Sequence, residues 1–150
     1  MIPPKAVVLA IDDDPIYLEV VSTLLMNEGL EVLTANDPVQ GLELVRSRRP
    51  DIVLTDFSMP RLTGMQVLDW VRAFDPSIEV AIVTGRFSAD LAREAMRRGA
   101  VDFVSKPVMM TLLRQWVNRR LSAIRRQNFS TGWNGGQAIA EPCPEPMFPG

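Results

Sequence analysis

Short runs of branched apolar residues recur along this chain, and nearly every residue within each run is apolar. The clear runs span residues 7–11, 52–55, 80–83 and 101–104, and a weaker one spans residues 31–34. A strand with one solvent-exposed face alternates apolar and polar residues, whereas a strand buried on both faces is apolar throughout. These runs therefore predict the strands of a parallel sheet that is covered on both sides.

Stretches with helical periodicity separate the apolar runs. The apolar residues of the first stretch are Ile16, Val20, Val21, Leu24 and Leu25. Gly29 follows them as a helix-ending residue, and four later stretches have similar spacing near residues 42–45, 68–71, 91–96 and 113–124. Because parallel strands need crossover helices, the pattern predicts an α/β fold, a doubly wound five-stranded parallel sheet with five helices. Spacing alone does not give the order of the strands.

The composition changes once along the chain. Residues 127–150 hold four of the nine glycines and four of the twelve prolines, with little apolar periodicity. Such a segment buries too little surface to offset the entropy of ordering it. We therefore expect one domain over residues 5–126, followed by a disordered Gly/Pro-rich tail or truncated linker over residues 127–150.

The chain has no histidine and a single cysteine, Cys143. The missing histidine excludes Ser-His-Asp and Cys-His nucleophiles, His-ligated zinc and a phosphohistidine on this chain itself. A lone cysteine cannot form an internal disulfide, which predicts a reducing, cytoplasmic location. The net charge of −2 and the short apolar runs give no reason to expect direct contact with nucleic acid or a membrane.

Polar residues that can support phosphoryl chemistry follow the predicted strands. They are Asp12, Asp13, Asp14, Asp56, Thr84 and Lys106. The carboxyl ends of parallel strands meet at one edge of the sheet, so these side chains should share a crevice. Clustered carboxylates repel one another unless a cation neutralises them, and oxygen-only ligands suit Mg²⁺. Lys106 is one of only two lysines among sixteen basic residues, which favours a specific need for its ammonium. We therefore expect a site for phosphoryl transfer to or from an aspartate.

Several of these residues also have a purely structural interpretation. Asp13 or Asp14 could cap a helix that begins at Pro15, and Asp56 could begin a turn. Phe103 alone is typical of a core residue. The arginines of the last helix predict a solvated basic face more than a nucleic-acid surface. The combination of residues, rather than any single one, favours the phosphoryl site.

Four motifs occur in order along the chain: VLAIDDDP, DIVLTDFSMPRLTGMQVL, IVTG and DFVSKP. Together they resemble the receiver domain of bacterial two-component response regulators over residues 5–125. The resemblance implies a flavodoxin-like sheet of order 2-1-3-4-5, with Asp56 as the phosphoacceptor. It assigns the remaining roles as follows: magnesium ligands at Asp12, Asp13, Asp56 and the Ser58 carbonyl, phosphoryl-binding groups at Thr84 and Lys106, and a switch pair formed by Thr84 and Phe103.

The same resemblance implies a Mg²⁺-dependent signalling switch rather than an enzyme with an external substrate. A sensor histidine kinase or phosphotransfer protein would present the phosphohistidine, and self-catalysed hydrolysis would reset the switch. The output partner would be a protein target or an effector domain that is missing from this chain. Two copies could also pair across the face of the fourth and fifth helices. The peptide bond between Lys106 and Pro107 is expected to be cis.

An enzyme is the alternative hypothesis. An aspartate triplet after a strand is also similar to the motif of haloacid-dehalogenase-like phosphatases, in which Asp12 would be the nucleophile and Asp14 the general acid. That family also needs an acidic pair downstream of its lysine, and after Lys106 the chain has only Glu141 and Glu145. The alternative leaves Asp56 without a role.

Overall fold

The computed structural model describes residues 5–106 and 110–134. In these ranges the elements, in chain order, are β1 (Val7–Ile11), α1 (Pro15–Met26), β2 (Glu31–Ala35), α2 (Pro38–Arg48), β3 (Ile52–Thr55), α3 (Gly64–Phe74), β4 (Glu79–Thr84), α4 (Ala89–Arg97), β5 (Asp102–Ser105) and α5 (Met110–Asn134). The strands form one parallel sheet in the order β2-β1-β3-β4-β5. The doubly wound α/β fold is therefore confirmed, and so is the strand order that the resemblance implied.

The strand bounds follow the apolar runs closely. The β1 and β3 strands have the predicted bounds, β4 is longer by one residue at each end, and β5 lies one residue later than its run. Paired hydrogen bonds with a neighbouring strand, rather than apolar character, decide where a strand ends, which accounts for these shifts. Lys106 consequently follows β5 directly.

Helix α5 is the longest element, with 25 residues. It includes residues 127–134, because a helix is defined by its backbone hydrogen bonds, whereas the tail was expected from composition. The expected tail from residue 135 onward, Cys143 and the Lys106–Pro107 peptide lie outside the described residues. None of the helices in the described ranges combines the length and apolar character needed to cross a membrane.

The sheet carries a core on each face because successive strand residues point to opposite sides. In β1, Leu9 and Ile11 belong to the cluster beneath α2, α3 and α4. Val8 and Ala10 belong to the cluster beneath α1 and α5. All four residues are at most 2% exposed. The sheet centre is thus packed on both faces, and the carboxyl ends of its strands hold the site.

Helix α1 buries a different set of residues from the one its periodicity indicated. Leu18, Val21 and Leu25 are buried, whereas Ile16 is 72% exposed and Val20 is 45% exposed. Apolar residues on more than one side of a helix leave its buried face undecided until it packs.

Candidate functional site

Two aspartates are brought together by the pairing of β1 with β3. Ile11, the last residue of β1, is the register partner of Thr55, the last residue of β3. The residue that follows each strand is an aspartate, Asp12 after β1 and Asp56 after β3. The Asp56 N–H donates to the Ile11 carbonyl at 2.9 Å, which extends the ladder by one step. Asp12 and Asp56 therefore leave the sheet side by side.

An acidic cluster forms at this edge of the sheet. One carboxylate oxygen from each of Asp12, Asp13 and Asp56 lies within 4.8 Å of the others. Asp12 is 2% exposed and Asp56 is 9% exposed, while Asp13 is exposed. The cluster thus has a buried base and an open side that faces solvent.

Lys106 brings an ammonium into the acidic cluster. Its Nζ lies 2.5 Å from Asp12 Oδ2 and 3.9 Å from Asp56 Oδ2. The backbone places this side chain, because the Lys106 N–H donates to the Thr84 carbonyl at 2.8 Å where β5 leaves β4. Only 20% of the Lys106 side chain is exposed, so solvent screens these interactions only in part.

Burial raises the pKa of Asp12 above its ordinary value, and the Asp56 charge adds to this effect. The Lys106 ammonium and the N–H of Asp14, which donates to Asp12 Oδ1 at 3.0 Å, work in the opposite direction. Desolvation is the larger influence, as expected of a carboxylate that is almost completely enclosed. Additional positive charge at the cluster would favour the ionised form.

Asp56 is held through both its side chain and its backbone. Its Oδ1 accepts a hydrogen bond from the Phe57 N–H at 2.7 Å, and its carbonyl accepts one from Thr55 Oγ1 at 3.0 Å. The Gly64 N–H donates to the Phe57 carbonyl at 2.8 Å. A Cβ atom added at Gly64 would lie only 2.4 Å from the Asp56 carbonyl oxygen. The start of α3 therefore packs directly on the backbone of Asp56, which sequence reasoning missed.

Thr84 ends β4 and is 1% exposed. Its Oγ1 accepts a hydrogen bond from the Arg86 N–H at 3.1 Å, and the Arg86 side chain is exposed. Phe103 is buried at 8% exposure. The exposed ring of Phe87 meets it edge-on, with 5.6 Å between centroids. The structure thus places Thr84 and Phe103 on the adjacent strands β4 and β5.

Tyr17 is a second residue that sequence reasoning missed. It is half-buried on α1, and its ring centroid lies 4.2 Å from Lys106 Nζ. Burial raises the pKa of Tyr17 to about 12, and the charges of Asp12 and Asp56 contribute. The available signal was that this is the only tyrosine in the chain, one helical turn after the aspartate triplet.

Ser58 and Asp14 lie at the edge of this arrangement. Ser58 is exposed in the loop between β3 and α3, two residues beyond Asp56. Asp14 is outside the acidic cluster and caps α1, where its Oδ1 accepts from the Ile16 N–H at 3.0 Å. The capping interpretation of Asp14 is therefore confirmed, and this carboxylate is occupied at the helix terminus.

The donor set fits a hard divalent cation. Three carboxylates supply oxygen ligands, with one ligand exposed and two buried. Mg²⁺ prefers oxygen ligands, is usually bound by one or two carboxylates, and keeps several waters. The open side of the cluster leaves room for those waters and for a phosphoryl oxygen.

A family model described as the response regulator receiver domain matches residues 8–118. The chain belongs to this family. The transcriptional regulatory protein ZraR of Klebsiella oxytoca is 36% identical over 118 residues, which are 79% of this chain and 27% of ZraR. The probable transcriptional regulatory protein TcrX of Mycobacterium tuberculosis is 30% identical over 132 residues, which are 88% of this chain and 55% of TcrX.

A solved response regulator receiver domain protein from Clostridium thermocellum is 36% identical, with a TM-score of 0.75. The match covers 83% of this chain and 98% of that one. Fold and family agree that this chain is a receiver, a phosphorylation-dependent signalling domain, and they give no support to the haloacid-dehalogenase-like alternative. The chain spans about a quarter of the length of ZraR and about half of the length of TcrX.

Proposed function

We propose that Asp56 is the phosphoacceptor of this receiver. The observation that carries the proposal is the position of its carboxylate, which shares a cluster with Asp12 and Asp13 and lies 3.9 Å from Lys106 Nζ. A nucleophile needs an accessible oxygen and nearby positive charge for the group it receives. Asp56 is the carboxylate of the cluster that directly follows the central strand β3.

The transfer itself is a displacement at phosphorus. A carboxylate oxygen of Asp56 forms the new P–O bond while the P–N bond of the donor phosphohistidine breaks, and the donor imidazole leaves with its electron pair. Lys106 balances the negative charge on the transferring oxygens, since its ammonium already lies beside Asp56. Water later attacks the phosphorus of the acyl phosphate, the P–O bond to Asp56 breaks, and inorganic phosphate leaves as the carboxylate is regenerated. The protein thereby catalyses only its own phosphorylation and dephosphorylation.

We propose Asp12, Asp13, Asp56 and the Ser58 carbonyl as the residues that hold Mg²⁺. When bound, the ion supplies positive charge opposite the phosphoryl oxygens. The chain itself contributes the oxygen ligands and the buried position of Asp12, and it fixes Asp56 through the Phe57 N–H. Few protein ligands predict weak binding with several retained waters.

Thr84 and Phe103 are proposed as the switch that senses the phosphoryl group. The Thr84 hydroxyl would turn toward a phosphoryl oxygen, and Phe103 would take up the space that opens. This change would bias a two-state equilibrium at the surface of α4, β5 and α5. Support comes from the strand pairing, which places Thr84 opposite Ser105, two residues beyond Phe103.

The partners follow from the chemistry of the chain. Since it has no histidine, the phosphohistidine must come from a sensor histidine kinase or a phosphotransfer protein in the cytoplasm. The output passes to a protein target or to an effector domain, and pairing of two copies across α4 and α5 is one form it could take. The relatives named as transcriptional regulators favour control of transcription through a domain other than this one.

Asp56→Asn tests the acceptor, because an amide cannot act as the carboxylate nucleophile. Intact-mass analysis after incubation with acetyl phosphate and Mg²⁺ should show one phosphoryl group on the wild type and none on the variant. Asp90→Asn makes the same chemical change at an exposed aspartate on α4 and should leave the adduct intact. Labelling should also disappear in EDTA and return with Mg²⁺. An undiminished adduct on Asp56→Asn contradicts the assignment.

A further inference from the structure

The ammonium of Lys106 is enclosed by three neighbours. Asp12 Oδ2 lies 2.5 Å away, Asp56 Oδ2 lies 3.9 Å away, and the ring centroid of Tyr17 lies 4.2 Å away. The two carboxylates belong to the proposed phosphoacceptor site, whereas the aromatic ring comes from α1. An ammonium this close to a ring centroid is attracted by the negative face of the π system.

The Tyr17 ring is held in place by the core and can restrict the position of the Lys106 ammonium. The ring packs against the apolar cluster beneath α1 and α5, so the core holds the ring in position. The Lys106 ammonium, in contrast, ends a flexible four-carbon side chain and can point in many directions. The ring and the carboxylates around it keep the ammonium inside the acidic cluster, 2.5 Å from Asp12 Oδ2 and 3.9 Å from Asp56 Oδ2.

We propose that Tyr17 is a positioning residue, whose aromatic ring holds the Lys106 ammonium toward Asp56 for phosphoryl uptake. This inference rests on the proposed role of Asp56 and adds a residue to the reaction. The contact involves the ring face rather than the hydroxyl, so phenylalanine keeps it. Leucine retains apolar bulk for the core but has no π face, so it loses the contact.

Positioning and simple structural support predict different effects on metal binding. If Tyr17 only supported α1, its loss would disturb Asp12 and Asp13 just before that helix and weaken Mg²⁺ binding. If Tyr17 positions Lys106, its loss lets the ammonium move away from the cluster, where it now lies 2.5 Å from Asp12 Oδ2 and opposes a cation at that carboxylate. Mg²⁺ binding would then be unchanged or tighter, while phosphorylation slows.

The experiment compares wild type, Tyr17→Phe and Tyr17→Leu, with Tyr17→Met as a second variant if the leucine protein does not fold. The rate of adduct formation from acetyl phosphate at saturating Mg²⁺ is measured by intact mass, and Mg²⁺ affinity by amide chemical shifts. We expect Tyr17→Leu to be about two- to tenfold slower, the range a cation–π contact supports. Tyr17→Phe should stay within about twofold of wild type, and Mg²⁺ affinity should not weaken in either variant.

Three results would overturn the inference: an unchanged rate in Tyr17→Leu, an equal loss in Tyr17→Phe, or weaker Mg²⁺ binding that accounts for the slower rate. Failure of the proposed function looks different, because the wild type would then carry no adduct on Asp56. The two failures are therefore separable in one set of measurements.

Discussion

Replacing Gly64 with alanine should destabilise this receiver and slow phosphoryl uptake. Gly64 is the first residue of α3, and a Cβ atom there would lie 2.4 Å from the Asp56 carbonyl oxygen and 2.9 Å from Phe57 Cα. Both neighbours are backbone atoms, so no side chain can rotate away to relieve the contact. The loop that carries Asp56 must move instead.

The size of the effect can be worked from these distances. Real Cβ contacts essentially never fall below 3.0 Å, so the Asp56 carbonyl must retreat by at least 0.6 Å, the difference from 2.4 Å. Overpacking of this kind costs about 1–3 kcal/mol. The reduced freedom of the unfolded alanine chain returns roughly 0.4–1 kcal/mol. Taking the middle of each range, about 2 kcal/mol of cost and about 0.7 kcal/mol of return, we expect the free energy of unfolding to fall by about 1.3 kcal/mol.

The assay is urea denaturation of Gly64→Ala beside Gly85→Ala. Gly85 also adjoins the site, but a Cβ atom there meets nothing within 4 Å, so the control should lose no stability and should gain at most about 1 kcal/mol from its less flexible unfolded chain. Gly64→Ala should also form the Asp56 adduct more slowly, since the carboxylate moves relative to Lys106. Equal stability of the two variants would refute the argument.

Three further predictions concern the charged groups. Mg²⁺ affinity, followed by amide chemical shifts, should weaken as pH falls through the raised pKa of Asp12, and Lys106→Met should move that loss to higher pH by removing a group that lowers this pKa. Tyr17, the only tyrosine, should stay neutral until about pH 12 by phenolate absorbance. The Tyr17 contribution to the free energy of unfolding is thus complete below about pH 10 and lost as pH rises to about 12. Mg²⁺ should lower the midpoint of the Tyr17 titration, because the ion offsets the negative charges of Asp12 and Asp56. Arg86→Ala should lose its phosphoryl group faster than wild type, because a guanidinium near the acyl phosphate covers the path of water; an unchanged decay rate makes Arg86 a surface residue.

The sequence by itself determined the fold class and the edge of the sheet where the site lies. Strands buried on both faces must be apolar throughout, so the first and last residues of β1 and β3 could be predicted from their runs of consecutive apolar residues. Parallel strands end at one edge, so the polar residues after each run, such as Asp12 and Asp56, were expected to meet. The order of the strands came from resemblance, because spacing along a chain does not say which strands are neighbours.

Only the tertiary structure decided which side chains touch. The apolar pattern of α1 included Ile16 and Val20, yet both are exposed, because the buried face of a helix is fixed by what packs on it. The ring of Tyr17 over Lys106 and the close approach of Gly64 to Asp56 join residues from different elements. Such contacts depend on distances between packed elements, which local periodicity does not encode.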